Sequence, residues 1–145
     1  MQFLGKPAEG ILDKIKNILL GFFLFSWWIW VIDGFLKYLL TAQMYPKAEF
    51  FFSCVLAPLW EEVVFRVIPI HLAYKLGEDA VLPIIIFTSI IFGLGHGGPA
   101  NILIQGVFGF ILSLLYIKNN YSYWSVVLLH SMWNATCIYL IPKLA

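Results

Sequence analysis

The sequence has little charge and almost no cysteine. Only 12% of its 145 residues are charged, about half the fraction found in soluble domains, and the mean hydropathy is +0.87. The formal net charge is +1, so the composition gives no argument for a nucleic acid or an acidic partner. The two cysteines, Cys54 and Cys137, lie in apolar segments without a CxxC pattern, which is typical of buried small side chains. These shortages exclude an ordinary soluble domain and favour a membrane protein.

Apolar residues make up 61% of the chain and are grouped into long runs. A membrane-spanning helix needs about 20 mainly apolar residues. Five stretches qualify or nearly qualify, and they lie near 18–41, 49–72, 80–96, 99–117 and 122–141. Turn-forming or charged residues separate them. We therefore predict an all-α fold, a polytopic transmembrane bundle of about five helices, with polar residues converging in an interior cavity.

Residues 1–17 differ from the bundle that we predict over residues 18–145. Apolar residues recur there at helical spacing among charged ones, which predicts a helix in the headgroup region and not a cleavable signal peptide. The lysines divide five to three between the two sides of the predicted spans, Lys6, Lys14, Lys16, Lys75 and Lys118 against Lys37, Lys47 and Lys143. The positive-inside rule then predicts a cytoplasmic N-terminus. We expect an integral protein of a prokaryotic plasma membrane.

Three charged residues, Glu61, Glu62 and Arg66, lie near the middle of the second predicted span. Ionisable side chains in hydrocarbon cost roughly 2.5–3.5 kcal/mol each on insertion scales, so they are functional candidates. On a helix Glu62 and Arg66 are i,i+4 neighbours, whereas Glu61 is rotated from Glu62 by about 100°. We predict that Arg66 neutralises Glu62 in a structural ion pair and that Glu61 acts on water. A purely structural ion network would not account for the second acid.

Two further polar pairs lie on later spans. Phe92 and His96 end the third span just before two glycines, so His96 is predicted to project from a helix terminus into the cavity. His130 and Asn134 are i,i+4 neighbours on the fifth span, and both can donate hydrogen bonds to an oxyanion. The structural alternatives are a helix-end histidine and hydrogen bonding between helices. Alternating spans would place His96 up to about 10 Å from the depth of Glu61.

Together the three motifs resemble the signature of the CPBP family, which comprises CAAX protease-like and bacteriocin-processing (Abi) intramembrane proteases. The pattern Glu-Glu-x-x-x-Arg, Phe-x-x-x-His, His-x-x-x-Asn occurs in this order on successive apolar segments, at Glu61-Glu62-Arg66, Phe92-His96 and His130-Asn134. Each motif is weak alone, but the ordered set is specific. Many relatives carry additional helices around this core, so the shorter chain is expected to act with a membrane partner or as a homo-oligomer.

The resemblance implies an intramembrane endopeptidase whose substrate is a membrane-associated protein or peptide. In this interpretation Glu61 deprotonates water with help from His96, and His130 and Asn134 line the oxyanion site. Desolvation makes a carboxylate a better proton acceptor, which suits a general base. The family resemblance therefore assigns catalytic roles to Glu61, His96, His130 and Asn134.

A metal mechanism competes with direct activation of water. Glu61, His96 and His130 offer a carboxylate and two imidazoles to zinc or another divalent metal, with an open position for water. The zincin signature HExxH is absent, so the spacing does not demand zinc. Both mechanisms stay open at this point.

Two other functions are compatible with polar motifs in membrane helices. One is a non-catalytic membrane protein that keeps the same fold for bacteriocin immunity or for scaffolding, and the other is a small transporter or proton relay. Binding alone does not require a base and an oxyanion site together. The complete set of motifs therefore favours the protease.

Overall fold

The computed structural model describes residues 6–43 and 50–140, with side chains described for 6–32 and 50–138. The α-helices are α1 (Ile11–Gln43), α2 (Ala57–Glu62), α3 (Ile68–Leu76), α4 (Glu78–Gly95), α5 (Gln105–Lys118) and α6 (Tyr123–Ala135). π-Helical segments occupy Phe52–Leu56, Val63–Val67 and Thr136–Leu140, and a 3₁₀ turn occupies Pro99–Ile102. No strand occurs in residues 6–43 or 50–140. The predicted all-α class is confirmed.

Three helices in the described part of the chain are long and apolar enough to cross a membrane. They cover Ile11–Ile32, Glu78–Gly95 and Pro99–Lys118. The described residues of the predicted second and fifth spans, 50–72 and 122–140, are mostly helical as well, but they are divided into shorter α-helical and π-helical pieces. These findings support an integral membrane protein, while the cytoplasmic N-terminus and the plasma membrane stay predictions.

Helix α1 begins at Ile11 and continues through the boundary that the sequence suggests at residue 17. Its N-terminal part is fastened to the turn after α5, because Asn17 Nδ2 donates to Asn119 Oδ1 over 2.7 Å. Ahead of the helix, Ala8 N donates to Lys118 O over 2.7 Å. The division into an interfacial segment and a bundle stays a prediction.

Three aromatic rings form the centre of the bundle, one each on α1, α5 and α6. The Phe25 ring lies 4.5 Å from the Phe108 ring and 4.5 Å from the Trp133 ring, measured between centroids. All three side chains are buried, whereas Trp27 and Trp30 on α1 are exposed. Helices in lipid associate through close packing rather than through removal of apolar surface from water. The inward aromatic cluster therefore holds these helices together, and the outward rings are suited to contact lipid.

A tight turn joins α3 to α4 and sets the depth of the polar residues. Gly77 forms the turn with φ of +127°, a conformation that favours glycine. Glu61 lies 15 residues before Leu76, and His96 lies 18 residues after Glu78. In an antiparallel pair of helices, Glu61 and His96 thus differ by three residues in their distance from the turn, which corresponds to about 4.5 Å along the helix axis. The depth mismatch of about 10 Å expected from the sequence is therefore wrong.

Candidate active site

Glu62 is fully buried and binds two other site residues through one carboxylate oxygen. Arg66 Nη1 donates to Glu62 Oε1 over 3.2 Å, and His130 Nδ1 lies 2.6 Å from the same oxygen. The first contact joins the end of α2 to the π-helical segment that follows it, and the second joins α2 to α6. Hydrogen bonds to a charged acceptor are stronger than neutral ones. Glu62 therefore compensates the Arg66 charge and also fixes the orientation of the His130 ring.

Arg66 is buried at 1% exposure between an aromatic ring and a glycine. Its guanidinium carbon lies 4.2 Å from the centroid of the Phe92 ring, a distance suited to a cation–π contact. A Cβ atom added at Gly109 would lie only 2.7 Å from Arg66 Nη2 and 3.1 Å from Phe92 Cδ1. The guanidinium thus occupies the space that a side chain at position 109 on α5 would need.

Glu61 points away from Arg66 and toward the two site histidines. Its Oε2 atom lies 3.7 Å from His130 Nε2 and 4.0 Å from His96 Nε2. The same oxygen is buried and has no hydrogen-bond partner within the described residues. A buried carboxylate oxygen without a partner is costly in a purely structural site. This part of the site is therefore shaped for a molecule that donates hydrogen bonds.

The tautomers of the two histidines follow from their other contacts. His130 Nδ1 faces the Glu62 carboxylate, and His96 Nδ1 lies 2.7 Å from Phe92 O. Both partners are acceptors, so both Nδ1 atoms carry the proton in the neutral rings. The lone pairs on both Nε2 atoms are then directed toward Glu61 Oε2. Glu61 Oε2 and the two Nε2 atoms are thus three hydrogen-bond acceptors that lie close together.

Exposure differs sharply across this cluster. The His96 side chain is 33% exposed, the Glu61 side chain 12% and the His130 side chain 2%. His96 stands at the end of α4, directly before Gly97 and Gly98. The site is therefore open at the end of α4 and closed toward α6.

Asn134 lies apart from the contacts that join these residues. Its Nδ2 atom donates to Ser53 O over 2.7 Å and ties α6 to the π-helical segment Phe52–Leu56. A carboxamide has two N–H donors, and this bond uses one of them. The role of Asn134 at an oxyanion site stays a prediction.

The chain also matches a known protein family over most of its length. Residues 23–136 match the family described as type II CAAX prenyl endopeptidase Rce1-like. The chain belongs to this family. The match contains all three motifs and confirms the resemblance to the CAAX protease-like intramembrane proteases. No curated protein and no solved structure matches the chain.

The metal alternative does not fit the donor spacing in this Rce1-like chain. Zinc bonds of about 2.0 Å place the ligand atoms of a tetrahedral site about 3.3 Å apart. The Glu61 oxygen lies 3.7 and 4.0 Å from the two imidazole nitrogens. Among residues 6–43 and 50–140, no three His, Cys, Asp or Glu side chains are grouped so that they could hold a metal ion. The described donors therefore give no support for a catalytic metal.

Sequence reasoning missed several residues that shape the site of the Rce1-like chain. It did not single out Gly109, which makes room for Arg66, or Asn101, whose Nδ2 atom donates to His96 O over 2.8 Å. It also paired Glu62 with Arg66 alone and did not foresee the bond to His130. A glycine inside an apolar helix is a signal for close helix packing, which could have drawn attention to Gly109. No comparable sequence signal marks Asn101.

Proposed function

We propose that the chain is an intramembrane endopeptidase that hydrolyses a peptide bond in a membrane-associated protein or peptide. The main support is the buried Glu61 oxygen, which has no hydrogen-bond partner among residues 6–43 and 50–140 and faces the Nε2 atoms of His96 and His130 at 4.0 and 3.7 Å. General bases act through positioned groups of this kind. The family match supports protease activity in general.

In the proposed reaction Glu61 is the general base. A water molecule held by Glu61 and His96 gives one proton to Glu61 while its oxygen attacks the carbonyl carbon of the peptide bond. The tetrahedral intermediate then expels the amine, which takes the proton from Glu61 as the carbon–nitrogen bond breaks. Proton transfer by a positioned side chain contributes roughly 10²–10⁴-fold to the rate.

His130 and Asn134 are proposed to stabilise the oxyanion of the intermediate. His130 Nε2 can donate to the oxyanion only when it carries a proton as well as Nδ1, and the 2.6 Å contact between Nδ1 and Glu62 Oε1 holds the ring in position for this bond. Asn134 would contribute the N–H that its bond to Ser53 leaves over. Donors aimed at a developing oxyanion are worth about 10²–10³-fold each in reactions of this type.

Comparative peptidomics tests this function in cells. One strain carries the intact protein, a second carries Glu61→Ala, and a third carries Glu9→Ala at an exposed position. We expect a set of peptides from membrane-associated proteins to appear with the intact and Glu9→Ala proteins and to be missing with Glu61→Ala. Mass spectrometry of the membrane and secreted fractions measures them. Identical profiles in all three strains, with bacteriocin immunity retained, would instead support the non-catalytic function.

Direct activation of water predicts that hydrolysis does not depend on a divalent metal. We expect the purified protein, reconstituted in vesicles, to keep its hydrolysis rate after dialysis against a chelator. The metal content per chain, measured on the same active sample, should be far below one. Loss of the activity on chelation, with recovery on adding back zinc, would contradict the mechanism while leaving the hydrolase function intact.

A further inference from the structure

We propose that Asn101 is a positioning residue, which holds His96 so that its Nε2 atom faces Glu61. Asn101 lies in the 3₁₀ turn after α4 and is 4% exposed. It does not belong to any of the three sequence motifs. The inference rests on the proposed function, because it assigns a catalytic purpose to the orientation of His96.

Asn101 lies beside the C-terminal end of α4. The last carbonyl groups of a helix have no partner within the helix. Asn101 Nδ2 donates to His96 O over 2.8 Å, and Asn101 N donates to Gly98 O over 3.0 Å. The side chain of Asn101 therefore caps the helix at the residue that carries the proposed catalytic imidazole.

Two glycines lie in the short connection between His96 and Asn101. Gly97 and Gly98 have φ of +120° and +115°, a region that glycine adopts readily and other residues rarely do. Two consecutive glycines give this connection little stiffness of its own. The Asn101 amide also packs closely here, since a Cβ at Gly97 would lie 3.2 Å from Asn101 Nδ2. Backbone bonds from Gly97 N and Gly98 N to Leu94 O, over 3.4 and 3.2 Å, fix the start of this loop. The bond from Asn101 Nδ2 to His96 O adds the link that closes it.

The cap lies next to a reacting group, the His96 imidazole. The His96 ring folds back onto α4, where Nδ1 lies 2.7 Å from Phe92 O, and this contact directs Nε2 toward Glu61. The geometry depends on the backbone of residue 96, which Asn101 holds. A displacement of about 1 Å at a reacting group can cost about 10²-fold in rate. Loss of the cap should therefore impair the action of His96 without removing any group that touches the substrate.

The test replaces Asn101 with leucine, which keeps the volume and removes the donor. Asn119→Leu is the matched control. Asn119 is fully buried and, like Asn101, its side chain donates a hydrogen bond to a backbone carbonyl, but this carbonyl belongs to Lys14 and not to a residue of the site. The chain has only three histidines, so selective ¹⁵N-histidine labelling gives three imidazole spin systems. His71→Gln and His96→Gln spectra assign them.

In the Asn101→Leu protein, we expect the single tautomer of His96 to give way to a mixture of two tautomers. The two ring nitrogen resonances of His96 should then move toward each other, and those of His130 should stay unchanged. Asn119→Leu should leave the His96 resonances in place. In a hydrolysis assay, kcat of Asn101→Leu should fall by about 10²-fold with KM nearly constant. A folded Asn101→Leu protein with an unaltered His96 spectrum would overturn the proposal.

The spectrum also separates this inference from the proposed function, since it can be read in a protein that hydrolyses nothing. If Asn101→Leu does not fold, Asn101→Ser takes its place, because a serine hydroxyl is too short to restore the bond but disturbs the packing less. If both variants fail to fold while Asn119→Leu folds, Asn101 is only a structural residue and the positioning role is refuted.

Discussion

The Glu61→Gln protein is expected to fold and insert normally and to hydrolyse its substrate about 10²–10⁴ times more slowly than the original. Glutamine keeps the shape of the side chain but removes the proton acceptor. The fold should tolerate the change, because the buried Oε2 atom of Glu61 makes no hydrogen bond within the described part of the chain and Arg66 is paired with Glu62 instead.

Rates of product formation in vesicles measure this effect, and thermal unfolding in detergent measures stability. Glu9→Gln is the control, since it makes the same chemical change at an exposed position outside the site. An unchanged rate for a well-folded Glu61→Gln protein would remove Glu61 from the mechanism. The same rate loss in Glu9→Gln would show that the assay reports something other than the site.

Glu62→Gln is expected to act mainly on stability. It removes the counter-charge of Arg66, which is buried at 1% exposure. Breaking one partner of a buried ion pair lowers the free energy of unfolding by about 3–5 kcal/mol. We therefore expect a lower melting temperature and a lower membrane yield, whereas Glu61→Gln changes neither.

A second substitution separates the two roles of Glu62. Arg66→Met in the Glu62→Gln background removes the unpaired charge and should restore much of the stability. The double variant should still hydrolyse slowly, because the carboxylate that orients the His130 ring is missing. If Glu62→Gln were stable and inactive while Glu61→Gln was unstable, the two glutamates would have exchanged roles. If both single variants were stable and active, the hydrolase proposal would fail.

The parts of the structure that the sequence predicts well are local. The i,i+4 spacing suggests that Glu62 rather than Glu61 faces Arg66, and the structure places Arg66 Nη1 3.2 Å from Glu62 Oε1. This contact depends only on helix geometry within a few residues. The apolar runs likewise predict where most helices lie, because their length is set by the thickness of the bilayer.

The contacts that the sequence did not predict join residues far apart along the chain. Glu62 and His130 are separated by 68 residues, and Asn134 and Ser53 by 81. Such contacts depend on how the helices rotate and pack, and helices that are apolar on most faces give little hydropathy signal about rotation. The error in the depth of His96 has a related cause. Depth was inferred from the ends of idealised spans, whereas the turn at Gly77 determines which residues of α3 and α4 lie side by side.

The contact between Gly109 and Arg66 bears on how members of this family are to be recognised. A charged motif shows which groups are present. The Arg66 guanidinium also needs the space that Gly109 leaves on α5, where an added Cβ atom would lie 2.7 Å from Nη2. A chain could therefore carry all the acids, the arginine and the histidines and still be unable to assemble this arrangement if the facing position held a larger side chain. A residue without a side chain is thus part of the signature, and positions 66 and 109 should vary together when such sequences diverge.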